Sequence, residues 1–340
     1  MELYPGAPTE TRPELLPKLV IKPWVPAKPL SLTLRNALVI DPASGRLLDE
    51  KQTLVLKDGY IHSVSKTQDD EKHDQESSVI DLNGLYVCPG LIDCHVHVTA
   101  VPGVKTMGDL IRLSEQEVYL RTTYTLREML MRGFTTVRDT GGASKVIANA
   151  IEEGLLLGPR LFQCGKALSQ TGGHGDFTPA QSGVLSMDAV AAIPNSLPVL
   201  PMEYQRFFIK IMVGGGVASE TDAIETVQYT AEEIQAIATS CRQMGGKMAT
   251  AHAYTVEAIR HAIDNGVLGI EHGNLIDEPT ATLMASRGIF LTPTLSCYGI
   301  MVRPPFEDFL PPDGKKKNAE VMKQGLDALK IAHKAGVTIC

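Results

Sequence analysis

Apolar and polar residues alternate in short runs between residues 31 and 88, which is the pattern of strands that bury one face. The runs are SLTLRNALVID, TLVLKDGYIHSVS and SSVIDLNGLYVCPG, and turn residues such as Asp58-Gly59 and Asn83-Gly84 lie within them. We therefore expect a small, incomplete β-sandwich domain with antiparallel strands over residues 31–88. Residues 1–30 are rich in proline and have little periodicity, so we expect a surface arm there.

Beyond Pro89-Gly90 the pattern changes to short apolar runs that alternate with segments of helical periodicity. This alternation predicts parallel strands joined by helices, and eight such units close a barrel. Seven strands are expected at residues 91–98, 135–139, 160–168, 207–213, 247–253, 269–272 and 289–294, with the start of an eighth at 337–340. The predicted fold class is therefore α/β, an incomplete TIM-type (β/α)8 barrel over residues 89–340, truncated in strand eight.

Two of the connecting helices have clear signals, whereas a third connection lacks one. Helical periodicity covers residues 231–244 and 256–265, and Thr230 with Glu233 forms a capping box before the first of them. Between the third and fourth predicted strands, closely spaced prolines prevent a long helix. In that connection only Ser186–Ile193 is expected to be helical.

Charge and composition exclude several classes of function. The net charge is −7 and no stripe of Lys and Arg offsets it, so a nucleic-acid surface is not expected. The basic run Lys315–Lys317 lies beside prolines and a glycine and is expected to be a solvated loop. No apolar stretch is long enough to span a membrane, and the N-terminus lacks a signal-peptide pattern. The scattered cysteines are expected to be reduced thiols in a cytoplasmic protein.

His95 and His97 stand at the end of the first predicted barrel strand. Alternate residues of a strand point the same way, so both imidazoles can project into one barrel mouth, where such barrels build their active sites. Neutral imidazole is a good ligand for zinc and similar metals. The alternative interpretation is two polar residues at the end of a strand, and the preceding PGLID favours the ligand role.

Lys210 lies in the otherwise apolar strand FFIKIMV, where an unpaired ammonium would be costly to bury. One explanation is a buried stem with a solvated or paired amine. The other is a carbamate: an ammonium has no lone pair for a metal, whereas carbon dioxide added to the amine would give an anion that can bridge two cations. Gly214–Gly216 follow and would let the backbone approach a bound ligand.

His252 and His272 each end a predicted strand, about one strand–helix unit apart. Either one alone is most simply explained as a core histidine with its hydrogen bonds satisfied. Matching positions on successive strands favour a shared metal site for the pair. The remaining histidines outside the strand ends and loops of the barrel are expected to be structural or solvated, namely His62, His73, His261 and His333.

Four motifs together resemble the binuclear amidohydrolases over residues 30–340: PGLIDCHVH, FIKIMVGGGVAS, AHAYT and IEHGN. ALSQTGGHGD adds a resemblance to the imidazolonepropionase-like and Xaa-Pro dipeptidase-like branch, which includes a fungal ochratoxin-hydrolysing amidase. The resemblance implies two zinc ions, one held by His95 and His97 and the other by His252 and His272. A carbamylated Lys210 would bridge them.

The same resemblance implies hydrolysis of a C–N amide bond in a small-molecule amide or peptide by a metal-activated water. His174, in GGHGD, matches a position that helps the metal to stabilise the oxyanion, although it also has the simpler interpretation of a polar loop residue. Tyr254 and Arg138 are expected to contact substrate. Nothing in the residues decides between a monomer and a homo-oligomer.

The sequence departs from the family pattern where it ends. The family carries an aspartate at the end of strand eight that moves a proton during the reaction, and the sequence stops at Cys340, just before that position. A second hypothesis is therefore a catalytically impaired, truncated family member or an interaction remnant. A third is mononuclear, deaminase-type hydrolysis, in which metal binding would not depend on Lys210.

Overall fold

The computed structural model describes residues 22, 24, 31–68, 78–170, 172–176, 191–193 (backbone only), 207–219 and 222–340. They divide into two compact units. One extends to Gly90 and includes Glu153–Leu155, and the other comprises Leu91–Glu152 and Leu156–Cys340. Within the described ranges, no helix is both long and apolar enough to cross a membrane, and no disulfide joins the cysteines.

The first unit contains one six-stranded sheet organised around its long first strand. Its strands are β1 (Leu32–Asp41), β2 (Arg46–Leu47), β3 (Gln52–Lys57), β4 (Tyr60–Lys66), β5 (Ser78–Asp81) and β6 (Tyr86–Val87). Strand β1 is antiparallel to β2 and β3 but parallel to β5 and β6, so the expectation of a purely antiparallel domain was wrong. Local hairpins impose antiparallel pairing, whereas β5 and β6 return to β1 through longer connections that leave their direction free.

The Asp58-Gly59 turn connects β3 to β4 as its sequence predicts. Both residues have positive φ, 52° and 80°, which is the backbone of the two-residue hairpin turns that match strand twist. The antiparallel pairing of β3 with β4 begins at this turn, and its register shifts by one residue between Val55 and Leu56.

All strands of the second unit run parallel and form two sheets. The three-stranded sheet consists of β7 (Leu91–Val96), β8 (Phe134–Asp139) and β9 (Arg160–Gln163). The six-stranded sheet has the order β11-β10-β12-β13-β14-β15, with β10 at Leu168–Gln170, β11 at Ala191–Ile193, β12 at Ile209–Met212, β13 at Ala249–Ala253, β14 at Gly269–His272 and β15 at Phe290–Thr292. The α/β fold class is therefore confirmed.

Two details refine the predicted strands. The strand expected at residues 160–168 is divided into β9 and β10, and a hydrogen bond of 3.1 Å from Phe207 N to Gln163 O joins the end of β9 to the approach to β12. At the other side, Ile339 forms a parallel bridge with Leu291, so the residues where an eighth strand is expected pair with β15.

The helices are α1 (Met107–Ile111), α2 (Glu115–Met131), α3 (Lys145–Glu152), α4 (Ala231–Gln243), α5 (Val256–Asp264), α6 (Glu278–Ser286), α7 (Leu295–Ile300) and α8 (Pro312–Lys334). Helices α4 and α5 agree closely with their predicted ranges. Apolar residues of α4, α5 and α6 pack on one face of the six-stranded sheet, among them Ile234, Ile259 and Met284, all fully buried. This core leaves the opposite face of β12–β15 for polar side chains.

Two local predictions were wrong. Residues 191–193, expected at the end of a helix, form strand β11, which pairs with β10, while residues 186–190 lie outside the described ranges. Lys315–Lys317 belong to helix α8 instead of a solvated loop, and Lys317 is buried. Proline ends helices when it lies inside them but is favoured in the first turn, and Pro312 stands at the first position of α8.

The capping box before α4 gives a test of local stability. Thr230 accepts a hydrogen bond from Glu233 N through its side chain, and Glu233 accepts one from Thr230 N. Thr230→Ala should lower the free energy of unfolding by about 1 kcal/mol, since an amide of the first turn loses its acceptor. Urea denaturation measures this change. Thr282→Ala, at an exposed position inside α6, is the matched control and should cost less; equal losses would contradict the capping role.

Candidate active site

Register across the six-stranded sheet separates an apolar face from a polar face. Ile211, Ala251, Ile270 and Leu291 are mutual neighbours on β12–β15, and all four belong to the apolar core under the helices. The next residue on each strand forms a second row, consisting of Met212, His252, Glu271 and Thr292. Because side chains alternate along a strand, this second row faces away from the helices. The candidate site is built on that face.

His272 joins the same site through an unusual backbone conformation. Its φ is +77°, in the left-handed region that β-strand residues avoid. Regular alternation would send consecutive Glu271 and His272 to opposite faces of the sheet. Instead, Glu271 bonds to His95 and the ring of His272 lies 4.7 Å from that of His95, so the turn in the backbone lets both side chains reach one site.

The five histidines proposed from sequence form one continuous cluster. Neighbouring ring centroids are 5.3 Å apart for His97–His95, 4.7 Å for His95–His272, 4.5 Å for His272–His252 and 4.0 Å for His252–His174. The rings come from β7, β13 and β14 and from the segments that follow β7 and β10. Side chains distant in sequence therefore converge as the motifs predicted.

Each of the four proposed metal ligands uses one ring nitrogen to bond to the protein. The pairs are His95 Nδ1 with Glu271 Oε2 at 2.8 Å, His97 Nδ1 with Gly141 O at 2.9 Å, His252 Nε2 with Gly215 O at 3.0 Å, and His272 Nδ1 with Thr294 Oγ1 at 2.6 Å. Within the described part of the chain, no group hydrogen-bonds to the second nitrogen of any of these rings. A ring nitrogen that donates to a carbonyl leaves the other nitrogen with a lone pair, which is how metal-binding histidines are oriented.

Burial holds the imidazoles of His95, His252 and His272 in their neutral form. Burial, reinforced by the charge of Lys210, lowers the pKa of His95 to about 3. Burial also lowers the pKa values of His252 and His272 well below the ordinary range, with neighbouring histidines adding to the effect. Near neutral pH these rings therefore keep the lone pair that a metal requires.

Lys210 is also buried, and only 1 % of its surface is exposed. Burial lowers its pKa to about 8, although the negative charge of Glu271 opposes that change. Its positive charge in turn lowers the pKa of each buried histidine of the cluster. Because Lys210 lies two residues before Met212 on β12, its side chain points to the same face of the sheet as His252, and its carbamylation stays a prediction.

Glu271 is the main site residue that the sequence analysis missed. It is fully buried and bonds to His95 Nδ1 at 2.8 Å and to Arg138 Nη2 at 2.8 and 3.0 Å. Burial alone would raise its pKa, but Lys210, His95 and Arg138 together lower it to about 2. A carboxylate in the apolar strand of GIEHGN was the available signal, of the same kind that drew attention to Lys210.

Arg138 is held by contacts within the protein. Besides the bonds to Glu271, it donates to Cys94 O at 2.7 Å and to Thr292 Oγ1 at 2.9 Å. Its guanidinium also lies 5.0 Å from the ring of Phe208 and 5.3 Å from that of Phe290. These contacts make Arg138 an orienting partner of Glu271 and hence of His95, and its contact with substrate stays a prediction.

Tyr254 packs beside the cluster and is almost fully buried. Its ring centroid lies 4.8 Å from that of His252 and 5.2 Å from that of His272. Its hydroxyl accepts a hydrogen bond of 2.9 Å from Tyr298. Burial, followed by the influence of Tyr298, raises its pKa well above the ordinary value, so the phenol keeps its proton and can donate it in a hydrogen bond.

The glycines after β12 make room for other parts of the protein. A Cβ on Gly216 would lie 1.9 Å from His174 Cε1, and one on Gly215 would lie 1.7 Å from Ala223 O. Real Cβ atoms do not approach other atoms so closely, so no larger residue fits at either position without a shift of its neighbours. Close approach of this backbone to a bound ligand stays a prediction.

The donor set fits metals that each take two imidazoles. In the part of the chain that the structure describes, no three His, Cys, Asp or Glu side chains are arranged to hold one ion. The cluster instead offers imidazoles in two adjacent pairs, His95 with His97 and His252 with His272, and Lys210 is buried on the same face of the sheet as His252. A third ligand would then have to come from that lysine.

Comparison with known proteins decides the family. The amidohydrolase family model matches residues 86–340, which includes every site residue described above. The chain belongs to the amidohydrolase family. The resemblance inferred from the motifs is thereby confirmed.

Several amidohydrolases are similar over most of the chain. Ochratoxinase from Aspergillus niger is 28% identical over 330 residues, covering 91% of this chain and 68% of the relative. The crystal structure of a prolidase complexed with N-methylphosphonate-L-proline has a TM-score of 0.82 and 38% identity, covering 91% of this chain and 77% of that chain. A Xaa-Pro dipeptidase with methionine bound in its active site has a TM-score of 0.76 and 28% identity, covering 91% and 78%.

The Arg138–Glu271 pair gives a test of how the site is supported. Arg138→Met should lower the free energy of unfolding by about 3–5 kcal/mol, because Glu271 would remain buried without its bidentate partner. Chemical denaturation measures the loss. Arg160→Met, at an exposed position of β9, removes the same charge from the surface and should cost far less. A similar cost for both variants would show that the buried pair has no special role.

Proposed function

We propose that the chain is a metal-dependent hydrolase that cleaves C–N amide bonds, of the amidase or dipeptidase type. The observation that carries this proposal is the cluster of five adjoining imidazoles, with Lys210 buried on the same face of the sheet as His252. Burial keeps four of these rings neutral, so they offer nitrogen lone pairs in one place, which favours a metal as their ligand. Membership of the amidohydrolase family supports the hydrolytic chemistry.

Two zinc ions are proposed, one held by His95 and His97 and the other by His252 and His272. Zinc prefers imidazole nitrogen and anionic oxygen, and this set supplies the former directly. When bound, the ions would supply a Lewis acid for the amide carbonyl and lower the pKa of a water molecule. Glu271 and the carbonyl oxygens of Gly141 and Gly215 hold the rings in the orientation that this requires.

Carbamylation of Lys210 would supply the anion between the ions. The neutral amine attacks carbon dioxide, a nitrogen–carbon bond forms and one proton leaves the nitrogen, which gives an anionic carbamate. Because the pKa of Lys210 is about 8, roughly a tenth of its amine is neutral at pH 7. The neutral fraction of an ordinary lysine at this pH is far smaller. Burial of Lys210 therefore favours the modification that the site needs.

Tyr254 is proposed to contact the substrate. Its protonated hydroxyl lies beside His252 and His272 and can donate a hydrogen bond to the carbonyl oxygen of the scissile amide as negative charge develops there. Tyr298, bonded to both the Tyr254 hydroxyl and His272 Nδ1, keeps the two groups in fixed relation. Water adds to the amide carbon, the C–N bond breaks, and a carboxylate and an amine are released.

The proposed substrates are amides whose nitrogen belongs to an amino acid. This class is common to a prolidase complexed with a proline phosphonate and a Xaa-Pro dipeptidase with bound methionine. We therefore propose dipeptides and N-acyl amino acids as the first compounds to test.

Metal content gives a direct test of the site. The purified protein, incubated with zinc and bicarbonate, should retain about two metal equivalents per chain. Lys210→Ala should reduce this below one, because the carbamate that joins the two ions cannot form. Elemental analysis after desalting measures the ratio. Lys323→Ala, at an exposed position of α8, is the matched control and should bind zinc like the parent protein.

The other results of this experiment have clear meanings. About one equivalent that does not depend on Lys210 would replace the proposal with mononuclear, deaminase-type hydrolysis. Absence of bound metal in the parent protein would contradict the hydrolase proposal and favour a non-catalytic role.

Hydrolysis of dipeptides and N-acyl amino acids gives the second test. The zinc-loaded protein should release amino acid from members of this panel, and Tyr254→Phe should lower kcat by about 10²–10³, the usual effect of removing one donor to a developing oxyanion. Tyr124→Phe, at an exposed position of α2, is the matched control. A panel left intact by metal-loaded protein would contradict the amidase proposal, and equal kcat for both variants would exclude Tyr254 as the donor.

A further inference from the structure

Behind His174 lies a buried set of polar groups that the proposed function does not use. Ser219 and Asp222 are 2% and 6% exposed, in the segment that follows β12. Ser219 Oγ lies 2.9 Å from His174 Nδ1 and also donates a close hydrogen bond to Asp222 Oδ1. The three side chains therefore form a chain that ends at a ring stacked 4.0 Å from His252.

The carboxylate of Asp222 accepts hydrogen bonds at both of its oxygens. Gly216 N donates to Oδ2 at 3.0 Å and Gln228 Nε2 donates to the same oxygen at 3.1 Å, while Ser219 donates to Oδ1. The ammonium of Lys317 lies 4.0 Å from Oδ1. Burial raises the pKa of Asp222, but these donors and the ammonium favour the charged form. An ionised carboxylate can only accept hydrogen bonds.

The direction of the hydrogen bonds follows from this. Ser219 has one hydroxyl hydrogen, and a charged carboxylate is a stronger acceptor than Gly216 O at 3.4 Å, so the hydrogen is assigned to Asp222. The Ser219 oxygen must then accept from His174, so the hydrogen of the neutral imidazole is on Nδ1. Nε2 consequently carries the lone pair.

Lys317 holds this arrangement from helix α8. Its ammonium donates to the backbone oxygens of Ser219 and Asp222 and pairs with Asp313 at 2.8 Å. On the other side, Gln228 Oε1 accepts from His174 N at 3.1 Å. Both ends of the hydrogen-bonded chain are thereby fixed, which explains why a lysine is buried in α8.

We propose that Ser219 and Asp222 are positioning residues that hold His174 in its Nδ1–H tautomer, so that Nε2 acts as an acceptor. As a catalytic group, which rests on the proposed function, His174 would then accept a hydrogen bond from the attacking water and orient it. Donation to the oxyanion, the role that the motif suggests, would need hydrogen on Nε2 and hence the opposite tautomer.

Nitrogen NMR of the metal-free protein, labelled with ¹⁵N-histidine and without substrate, tests the tautomer directly. The His174 signals are identified by their loss in His174→Gln. The parent protein should show a protonated Nδ1 and an unprotonated Nε2 for this ring. Finding hydrogen on Nε2 in the parent protein would overturn the inference, whether or not the protein hydrolyses amides.

Asp222→Asn tests the cause of the tautomer. The new amide can donate to Ser219 Oγ, whose hydrogen then turns to His174 Nδ1 and moves the ring hydrogen to Nε2. Asp264→Asn, on the surface beside Arg287, should leave the His174 signals unchanged. If Asp222→Asn does not fold, Ser219→Ala serves instead and should give a mixture of both tautomers. A pure Nδ1–H ring in either folded variant would show that Ser219 and Asp222 do not set the tautomer.

The zinc-loaded enzyme separates this inference from the proposed function. Asp222→Asn should lower kcat with little change in KM. His174 would then present an Nε2–H donor instead of the Nε2 lone pair, while the surface that binds the substrate stays the same. An unchanged kcat together with a reversed tautomer would remove the catalytic part of the inference. Failure of the parent protein to hydrolyse any amide would contradict the proposed function and leave the tautomer result standing.

Discussion

Burial of the Lys210 amine beside the histidines is the constraint on which the site depends. An ammonium in this position costs free energy, and the structure offsets that cost with one buried carboxylate, Glu271. The same charge disfavours protonation of the surrounding imidazoles. Burial of the rings, reinforced by this one lysine, thus keeps the buried imidazoles neutral and their lone pairs available. A ligand that binds at the cluster must therefore accept these lone pairs, either through a hydrogen bond or as a metal ion.

A layer of hydrogen bonds behind the rings fixes their orientation. Glu271, itself held by Arg138, orients His95, and the carbonyl oxygens of Gly141 and Gly215 orient His97 and His252. Such partners decide which nitrogen faces the site. His174 follows the same rule but depends on side chains, Ser219 and Asp222, instead of a carbonyl. A site built from several imidazoles requires this supporting layer, because each ring has two nitrogens that could face the ligand.

Membership of the amidohydrolase family and the geometry of the cluster support the same chemistry by separate routes. The family assignment is based on similarity along the chain, whereas the geometry of the cluster identifies the atoms that would react. The polar face of β12–β15 carries His252 and Glu271, and the apolar face under α4–α6 packs on the helices. Side chains on packed strands are held more precisely than side chains on loops, which suits the orientation of the rings.

The sequence alone predicted the α/β class and most strand positions, and it singled out the five histidines and Lys210, because strand periodicity and motif order are local properties. Glu271 had a signal, a carboxylate in an apolar strand, but regular alternation places it and His272 on opposite faces, so the two were not expected at one site. Only the folded chain shows the φ of +77° that brings both to one site. The same holds for Lys317, whose burial depends on α8 packing against a segment nearly 100 residues earlier in the chain, at Ser219. Contacts of this kind arise from tertiary packing, and short-range patterns carry no record of them.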